Sequence, residues 1–223
     1  MKNKVLMTAA AVLALSAGAA LAQNSLQVLP AAALNSTNFG LQVNVAAAST
    51  NAVYVQSDHP TAETHMRTVW RMRVDGLNAP ASGAGRNYRF LNLVDADQPA
   101  APHKIFFLQR QVTTGNWRLA VWNRTPGGVY EFLGGAFHGV YGAASPDVKW
   151  DCDWTMATAG PNGIFVCDRT VGATTNQDVI NVTTVNDGGQ QTDSMQFGFF
   201  DFDGFPGVAA AGHADHDEVE LYR

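Results

Sequence analysis

The sequence has little of what catalytic or heavily cross-linked proteins usually carry. Its 223 residues include two cysteines and four glutamates, and charged residues make up 15% of the chain. It contains no Gly-x-Ser-x-Gly nucleophile motif and no phosphate-binding P-loop. No stretch keeps a helical periodicity over several turns. These absences argue against a helical fold and against the common nucleotide-binding and serine-hydrolase motifs.

One long apolar run lies at the N-terminus. Lys2 and Lys4 come before apolar residues 5–15, and Ala20-Leu21-Ala22 has the small-x-small pattern of a cleavage site. This arrangement predicts a signal peptide over residues 1–22, so we expect a secreted or periplasmic protein. The run is rich in alanine and shorter than the ~20 residues of a membrane span. No later stretch is long and apolar enough to predict one.

Charge and length restrict the partners and the domain count. Removal of residues 1–22 takes away both N-terminal lysines and changes the formal net charge from −5 to −7. An acidic exported protein has no electrostatic attraction for nucleic acid or anionic membranes, so we expect neither as a partner. Residues 23–223 suit a short lead-in at 23–37 and one domain over 38–223. The oligomeric state is left open.

Short runs of alternating apolar and polar residues recur between turn signals. They predict an all-β fold, either an antiparallel sandwich or a barrel, with eleven or twelve strands. The predicted strands cover residues 39–45, 52–56, 64–74, 88–93, 104–112, 117–122, 129–133, 150–154, 164–168, 178–184, 194–200 and 217–222. Residues 57–60 are predicted as a turn, and Trp70, Trp150 and Trp154 are predicted to fill the core.

The two cysteines flank the turn of one predicted hairpin. Cys152 lies on the strand before residues 157–163, and Cys167 lies on the strand after them. In an oxidising compartment we expect Cys152 and Cys167 to form a disulfide across this hairpin. The alternative is a pair of buried thiols.

Five segments carry a resemblance to a known family: NFGLQVNV (38–45), AVYVQSDHPTAET (52–64), VKWDCDW (148–154), DSMQFG (193–198) and DEVEL (217–221). In this order they resemble exported bacterial domains with the concanavalin A-like lectin/glucanase jelly roll. The resemblance implies an antiparallel two-sheet β-sandwich with adjacent N- and C-terminal strands. It does not identify a ligand, because fold does not settle function.

The leading functional hypothesis is a non-enzymatic module that binds a carbohydrate or another extracellular surface. Glycan binding needs exposed aromatic rings beside hydrogen-bonding side chains. The candidates are Trp117, Trp122 and Tyr130 for stacking, with Asn116, Arg118 and Asn123 as hydrogen-bonding partners. The alternative for each aromatic residue is a place in the core.

A structural Ca²⁺ ion is the metal that the sequence favours. Asp201, Asp203, Asp215 and Asp217 place hard oxygen ligands in or beside predicted loops. The family resemblance implies a calcium site where the terminal strands meet, which makes Asp217 a candidate ligand. The alternative is that these are turn aspartates.

Two further hypotheses remain open. Asp151 and Asp153 share a strand face and could serve a glycoside hydrolase or polysaccharide lyase, which makes an enzyme the second hypothesis. A structural or adhesive envelope protein is the third. Arg67, Arg71 and Arg73 share another strand face, where they could bind an anion, but pairing with nearby carboxylates is the favoured interpretation.

Overall fold

The alternating segments of the sequence form β-strands. The computed structural model describes residues 23–46, 51–74, 86–95, 101–110, 116–140, 147–203 and 212–222, and within them it contains thirteen strands and a 3₁₀ turn at Pro30–Ala32. The strands are β1 (Ser25–Leu29), β2 (Gly40–Val45), β3 (Val53–Glu63), β4 (His65–Arg73), β5 (Arg86–Val94), β6 (Lys104–Arg110), β7 (Asn116–Arg124), β8 (Tyr130–Val140), β9 (Val148–Thr155), β10 (Gly163–Val171), β11 (Thr174–Val185), β12 (Thr192–Asp203) and β13 (Gly212–Tyr222).

These strands form two antiparallel sheets. The seven-stranded sheet has the order β1-β2-β13-β4-β9-β10-β11, and the six-stranded sheet has the order β3-β12-β5-β6-β7-β8. The C-terminal strand β13 pairs with β2, so the two ends of the domain are adjacent. The predicted fold class, an all-β, two-sheet jelly-roll sandwich, is confirmed.

Aromatic side chains fill the space between the sheets. Trp70, Trp150 and Trp154 are at most 1% exposed, as predicted. Trp70 of the seven-stranded sheet meets Phe106 of the six-stranded sheet edge-on, with ring centroids 5.9 Å apart. Phe106 also meets Phe165 at 5.9 Å. Burial of such rings is the main driving force for packing the two sheets together.

The predicted disulfide is present. Cys152 and Cys167 are directly opposite each other on β9 and β10, and their Cα atoms are 4.1 Å apart. Both face the core and are almost fully buried. The bond therefore closes the β9–β10 hairpin from the inside of the sandwich.

Three parts of the strand prediction were wrong. The lead-in contains β1, an edge strand that pairs with β2 and is too short to give a clear pattern. Residues 57–60 are not a turn but belong to β3, an edge strand whose register shifts between Asp58 and Glu63. Pro60 lies within that shift, where the lack of an N–H breaks no regular ladder bond. Residues 213–216 are not a loop before the last strand, because β13 begins at Gly212.

The predicted signal peptide, residues 1–22, lies outside the described residues. In the described part of the chain, no helix has the length and apolar character that a membrane crossing requires.

Candidate functional site

The six-stranded sheet has one face toward the core and one face away from the other sheet. On β7, Trp117, Leu119 and Val121 belong to the core, whereas Arg118 and Trp122, each next to one of these residues, point to the opposite side. We call that opposite side the outer face. It carries polar side chains from β3, β12 and β5 and apolar side chains from β6, β7 and β8.

A continuous row of hydrogen bonds crosses three strands of the outer face. Arg89 Nε donates to Asn92 Oδ1 at 2.8 Å, and Asn92 Nδ2 donates to Gln196 Oε1 at 3.1 Å. Gln196 Nε2 then donates to Gln56 Oε1 at 2.9 Å, and Gln56 Nε2 donates to Asp58 Oδ1 at 2.6 Å. We call these five residues the amide row. It begins at a cation and ends at a carboxylate, so every amide dipole points the same way and each bond reinforces the next.

The amide row runs from the interior to solvent. Asn92 is 1% exposed, Gln196 is half-buried and Gln56 is exposed. A side-chain amide has two N–H donors and an oxygen with two lone pairs. Gln196 and Gln56 each use one donor and one lone pair within the row. The second donor and the second lone pair of each can therefore bind a ligand, and the row holds both side chains in place beforehand.

Aromatic rings lie on both sides of the amide row. Tyr54, which is 43% exposed, stacks on Phe200 with ring centroids 5.0 Å apart. The guanidinium carbon of Arg89 lies 5.4 Å from the centre of the Phe200 ring. Toward the other edge of the sheet, Trp122 contacts Phe132 with centroids 5.3 Å apart. The first pair lies on β3 and β12, the strands that also carry Gln56 and Gln196, and the second pair lies on β7 and β8.

The middle of the outer face is apolar. Ile105, Phe107 and Ala120 form a small cluster there, and Trp122 and Tyr130 pack against it. The Tyr130 hydroxyl donates to the Pro102 carbonyl oxygen at 2.6 Å. Burial raises the pKa of Tyr130, so this hydroxyl keeps its proton at neutral pH.

The structure separates the six predicted ligand-binding residues. Trp117 points into the core and is 3% exposed, while Trp122 lies on the outer face. They are five positions apart, and positions an odd number apart lie on opposite faces of a regular strand. Asn123 shares the inner face with Trp117 and is fully buried. The predicted platform of Trp117 and Trp122 with Asn123 therefore does not exist.

The other predicted ligand-binding residues do not face the core. Arg118 donates from Nε to Gln109 Oε1, and its guanidinium carbon lies 5.2 Å from the centre of the Phe132 ring. Burial lowers the pKa of Arg118 from its ordinary value. Asn116 begins β7 and is half-buried. Arg118, Trp122 and Tyr130 thus belong to the candidate site.

The carboxylates of Asp215 and Asp217 accept bonds from protein donors. Asp215 is fully buried, lies 2.6 Å from Arg73 Nη2 and accepts a bond from Gln42 Nε2 at 3.0 Å. Asp217 accepts bonds from the Leu34 N–H at 2.8 Å, from the hydroxyl of Thr37 and from the Glu218 N–H at 2.7 Å. Because a guanidinium and backbone N–H groups occupy these oxygens, Asp215 and Asp217 do not fit a calcium ion. Asp217 instead attaches the lead-in to the C-terminal strand.

The rest of the described chain offers no evident metal site. The described residues include no group of three or more His, Cys, Asp or Glu side chains that could hold a metal ion. Asp201 and Asp203 lie on β12, and their side chains are outside the described part. At these two positions calcium stays a prediction.

The outer face of the seven-stranded sheet carries the predicted arginines and the candidate catalytic carboxylates. The favoured pairing is confirmed: Arg67 contacts Asp151 at 2.5 Å, Arg71 contacts Asp147 at 2.9 Å and Glu218 at 2.6 Å, and Arg73 contacts Asp215. Asp153 lies 3.0 Å from Nε2 of His65. Asp151 therefore sits in an ion pair and Asp153 lies beside a histidine ring, both on the sheet opposite the amide row.

Sequence reasoning missed the amide row. Asn92 and Gln196 each lie between apolar neighbours, and Gln56 follows the alternating Val53-Tyr54-Val55, so an outward position could have been predicted for each one. Their contact could not, because it depends on the register of three strands that are far apart in the chain.

Comparisons with known proteins give similarities of fold. No protein-family model matches this chain, and no curated protein matches it. Three similar solved structures are a mutant of alginate lyase Aly36B in complex with an alginate trisaccharide (13% identity, TM-score 0.47, 82% of this chain and 81% of that chain), a legume lectin-like domain from Entamoeba histolytica (10%, 0.47, 90% and 86%) and a GH131 β-glucanase catalytic domain from Podospora anserina (11%, 0.44, 89% and 78%). At these identities the likeness concerns the β-sandwich alone.

Proposed function

We propose that this protein is an exported, non-enzymatic β-sandwich that binds a carbohydrate on the outer face of its six-stranded sheet. The observation that carries the proposal is the amide row beside exposed aromatic rings. Sugars present apolar C–H faces that pack on aromatic rings, and hydroxyls that both donate and accept hydrogen bonds. Side-chain amides match hydroxyls because they also do both.

The pre-ordered geometry supports binding. Gln56 and Gln196 are already held by the row, so a ligand does not have to immobilise them, and less side-chain entropy is lost on binding. Tyr54 and Phe132 offer exposed ring surface on either side. A sugar chain that crosses the sheet from β3 to β8 would first meet the Tyr54 ring and the amides, then the apolar cluster and then the second aromatic pair.

The test is a glycan-array screen of the purified protein, followed by calorimetry with the best glycan, with added calcium and again with chelator. We expect Gln56→Ala to weaken binding about ten-fold, the value of one lost hydrogen bond of about 1.4 kcal/mol. Trp122→Ala should weaken it by a similar factor or more. Gln27→Ala, an exposed glutamine on β1 of the other sheet, is the matched control and should bind normally.

Measurements on the same samples distinguish this proposal from the alternative functions. No binding to any glycan, or equal affinity for Gln56→Ala, Gln27→Ala and the unmodified protein, would contradict a site on the outer face. Release of shortened or unsaturated sugar products would show a hydrolase or lyase instead. Loss of binding with chelator would add a calcium ion to the proposed site.

A further inference from the structure

A lysine is fully buried at one end of the core. Lys104 is the first residue of β6 and has no exposed surface. Its Nζ donates to Asn123 Oδ1 at 3.0 Å, lies 3.5 Å from Asp187 Oδ2, and lies 4.3 Å from the centre of a Trp154 ring. Asn123, Asp187 and Trp154 are likewise at most 1% exposed. An amino group is thus held against a side-chain amide where water is excluded.

The amide has a glutamate on its other side. Asn123 Nδ2 donates to Glu131 Oε1 at 3.0 Å and to the Asn186 carbonyl oxygen at 3.0 Å. The contacts follow the sheet register, because Lys104 is opposite Asn123 on β6 and β7, and Asn123 is opposite Glu131 on β7 and β8. The three side chains therefore form a line across three adjacent strands.

We propose that Lys104 and Asn123 react with each other to form an intramolecular isopeptide cross-link, with Glu131 and Asp187 carrying protons. Lys104 first gives one proton to Asp187 and becomes a neutral amine. Its Nζ then attacks Asn123 Cγ, the carbon bonded to the oxygen that Nζ already contacts. Glu131 accepts a proton from the attacking nitrogen and passes it to Nδ2. The Cγ–Nδ2 bond breaks, ammonia leaves, and a secondary amide joins the two side chains.

The surroundings favour attack by the amine over hydrolysis. Desolvation lowers the pKa of Lys104 to about 8, with partial compensation from Asp187, so an appreciable fraction is the nucleophilic amine near neutral pH. Burial excludes the water that would compete with the amine. The nucleophile and the amide are already in contact, which replaces a bimolecular encounter with an intramolecular one.

Asp187 is less suitable than Asn123 as the residue that forms the isopeptide bond with Lys104. Its carboxylate accepts hydrogen bonds from Trp154 Nε1 at 2.9 Å, from the Ala157 N–H at 3.0 Å and from the Gly189 N–H at 3.4 Å. These bonds hold the carboxylate in place 3.5 Å from Nζ. An amine does not attack a carboxylate readily, so Asp187 is placed to receive the proton and not to form the bond.

The cross-link would join two adjacent strands of the six-stranded sheet covalently, as the disulfide joins two strands of the seven-stranded sheet. Lys104 begins β6 and Asn123 lies next to the end of β7, so the new bond closes the β6–β7 hairpin at its open end. Cys152 and Cys167 join β9 and β10 in the seven-stranded sheet. Each sheet would then hold one covalent bond between adjacent antiparallel strands.

Mass spectrometry of the purified protein tests the proposal. We expect the purified chain, after the disulfide is counted, to be lighter by one molecule of ammonia that peptide mapping places at Lys104 and Asn123 and not at an N-terminal Gln23, which can itself lose ammonia by cyclisation. Trypsin should fail to cut after Lys104 and should release a branched species in which residues 90–110 are joined to residues 119–124. An unshifted mass, with normal cleavage after Lys104, would overturn the proposal. Loss of water instead of ammonia, with Lys104 joined to the peptide that contains Asp187, would overturn Asn123 as the partner.

Variants test the role of the glutamate. Glu131→Gln keeps a hydrogen-bonding group of similar size but cannot carry the proton, so we expect the ammonia loss to disappear. Glu220→Gln is the matched control on β13 and should lose ammonia like the unmodified protein. Circular dichroism checks that both variants fold, and Asn123→Ala, which lacks the amide, should keep its full mass. Undiminished ammonia loss in folded Glu131→Gln would remove the glutamate from the mechanism.

Discussion

Lowering the pH from 7 to 5 should destabilise this protein, because His216 is buried where it cannot take up a proton. His216 has no exposed surface. Its ring lies among those of Phe197, Phe90 and Tyr88, with centroids at 4.8, 6.0 and 6.4 Å. Its Nε2 is 3.4 Å from the Tyr88 hydroxyl, and its Nδ1 has no hydrogen-bond partner within the described part of the chain. Burial lowers the pKa of His216 to about 3, although Asp215 opposes this shift.

The direction and size of the effect follow from this pKa. In the unfolded chain His216 binds a proton below its ordinary value of 6.5, whereas in the folded protein it stays neutral until about 3. The contribution to stability is therefore complete above pH 6.5 and is lost as the pH falls toward 3. Between pH 7 and pH 5 this one residue should reduce the free energy of unfolding by about 2 kcal/mol. His103, whose pKa burial also lowers, acts in the same direction.

Urea unfolding at pH 7 and pH 5, followed by tryptophan fluorescence, measures this loss. His216→Phe keeps an aromatic ring among aromatic neighbours and removes the titration, so its loss between the two pH values should be smaller by about 2 kcal/mol. His65→Gln is the control, because the His65 side chain is 51% exposed and its pairing contributes little. If His216→Phe loses as much stability on acidification as the unmodified protein, the reasoning from burial is refuted.

Three further predictions concern stability. Reduction of the disulfide, or its replacement by alanines at Cys152 and Cys167, should lower the free energy of unfolding by about 3 kcal/mol, as urea unfolding with and without reductant will show; an unchanged midpoint would contradict this. Asp217→Ala should cost about 1–3 kcal/mol and speed proteolysis within residues 30–37, because backbone and hydroxyl donors of the lead-in lose their acceptor. Arg67→Ala should cost less than about 1 kcal/mol, since its carboxylate partner is partly exposed. Arg73→Ala should cost about 3–5 kcal/mol, because a buried carboxylate loses its counter-ion; equal costs for the two would reject the role given to burial.

Local patterns made much of the fold predictable. Residues 150–154 and 164–168 alternate on either side of a Pro-Asn-Gly turn, so both the hairpin and the pairing of its two cysteines could be inferred. The carboxylate pairing of Arg67, Arg71 and Arg73 was also predicted, because strand periodicity places the three on one face and such arginines usually pair with carboxylates. Where the pattern was short, as in β1, or where an edge strand tolerated a proline, as in β3, the prediction failed.

The candidate site depended on longer-range information. Gln56 and Gln196 bond to each other although they are 140 positions apart in the chain. A shift of one residue in the register of β3 against β12 would turn one of them toward the core. The same dependence explains why Asn123 was predicted as a ligand-binding residue and is instead fully buried beside Lys104 and Glu131.

The sequence by itself determined the all-β class, most of the strands and the disulfide, because alternation, turn residues and paired cysteines act over a few neighbouring positions. Only the tertiary structure decided which face of each strand meets the other sheet, and hence that Trp117 is core while Trp122 is on the outer face. It also decided which polar side chains come together in the amide row and around Lys104. Those contacts join strands that are distant in sequence, and their geometry is set by sheet register and by the packing of the two sheets.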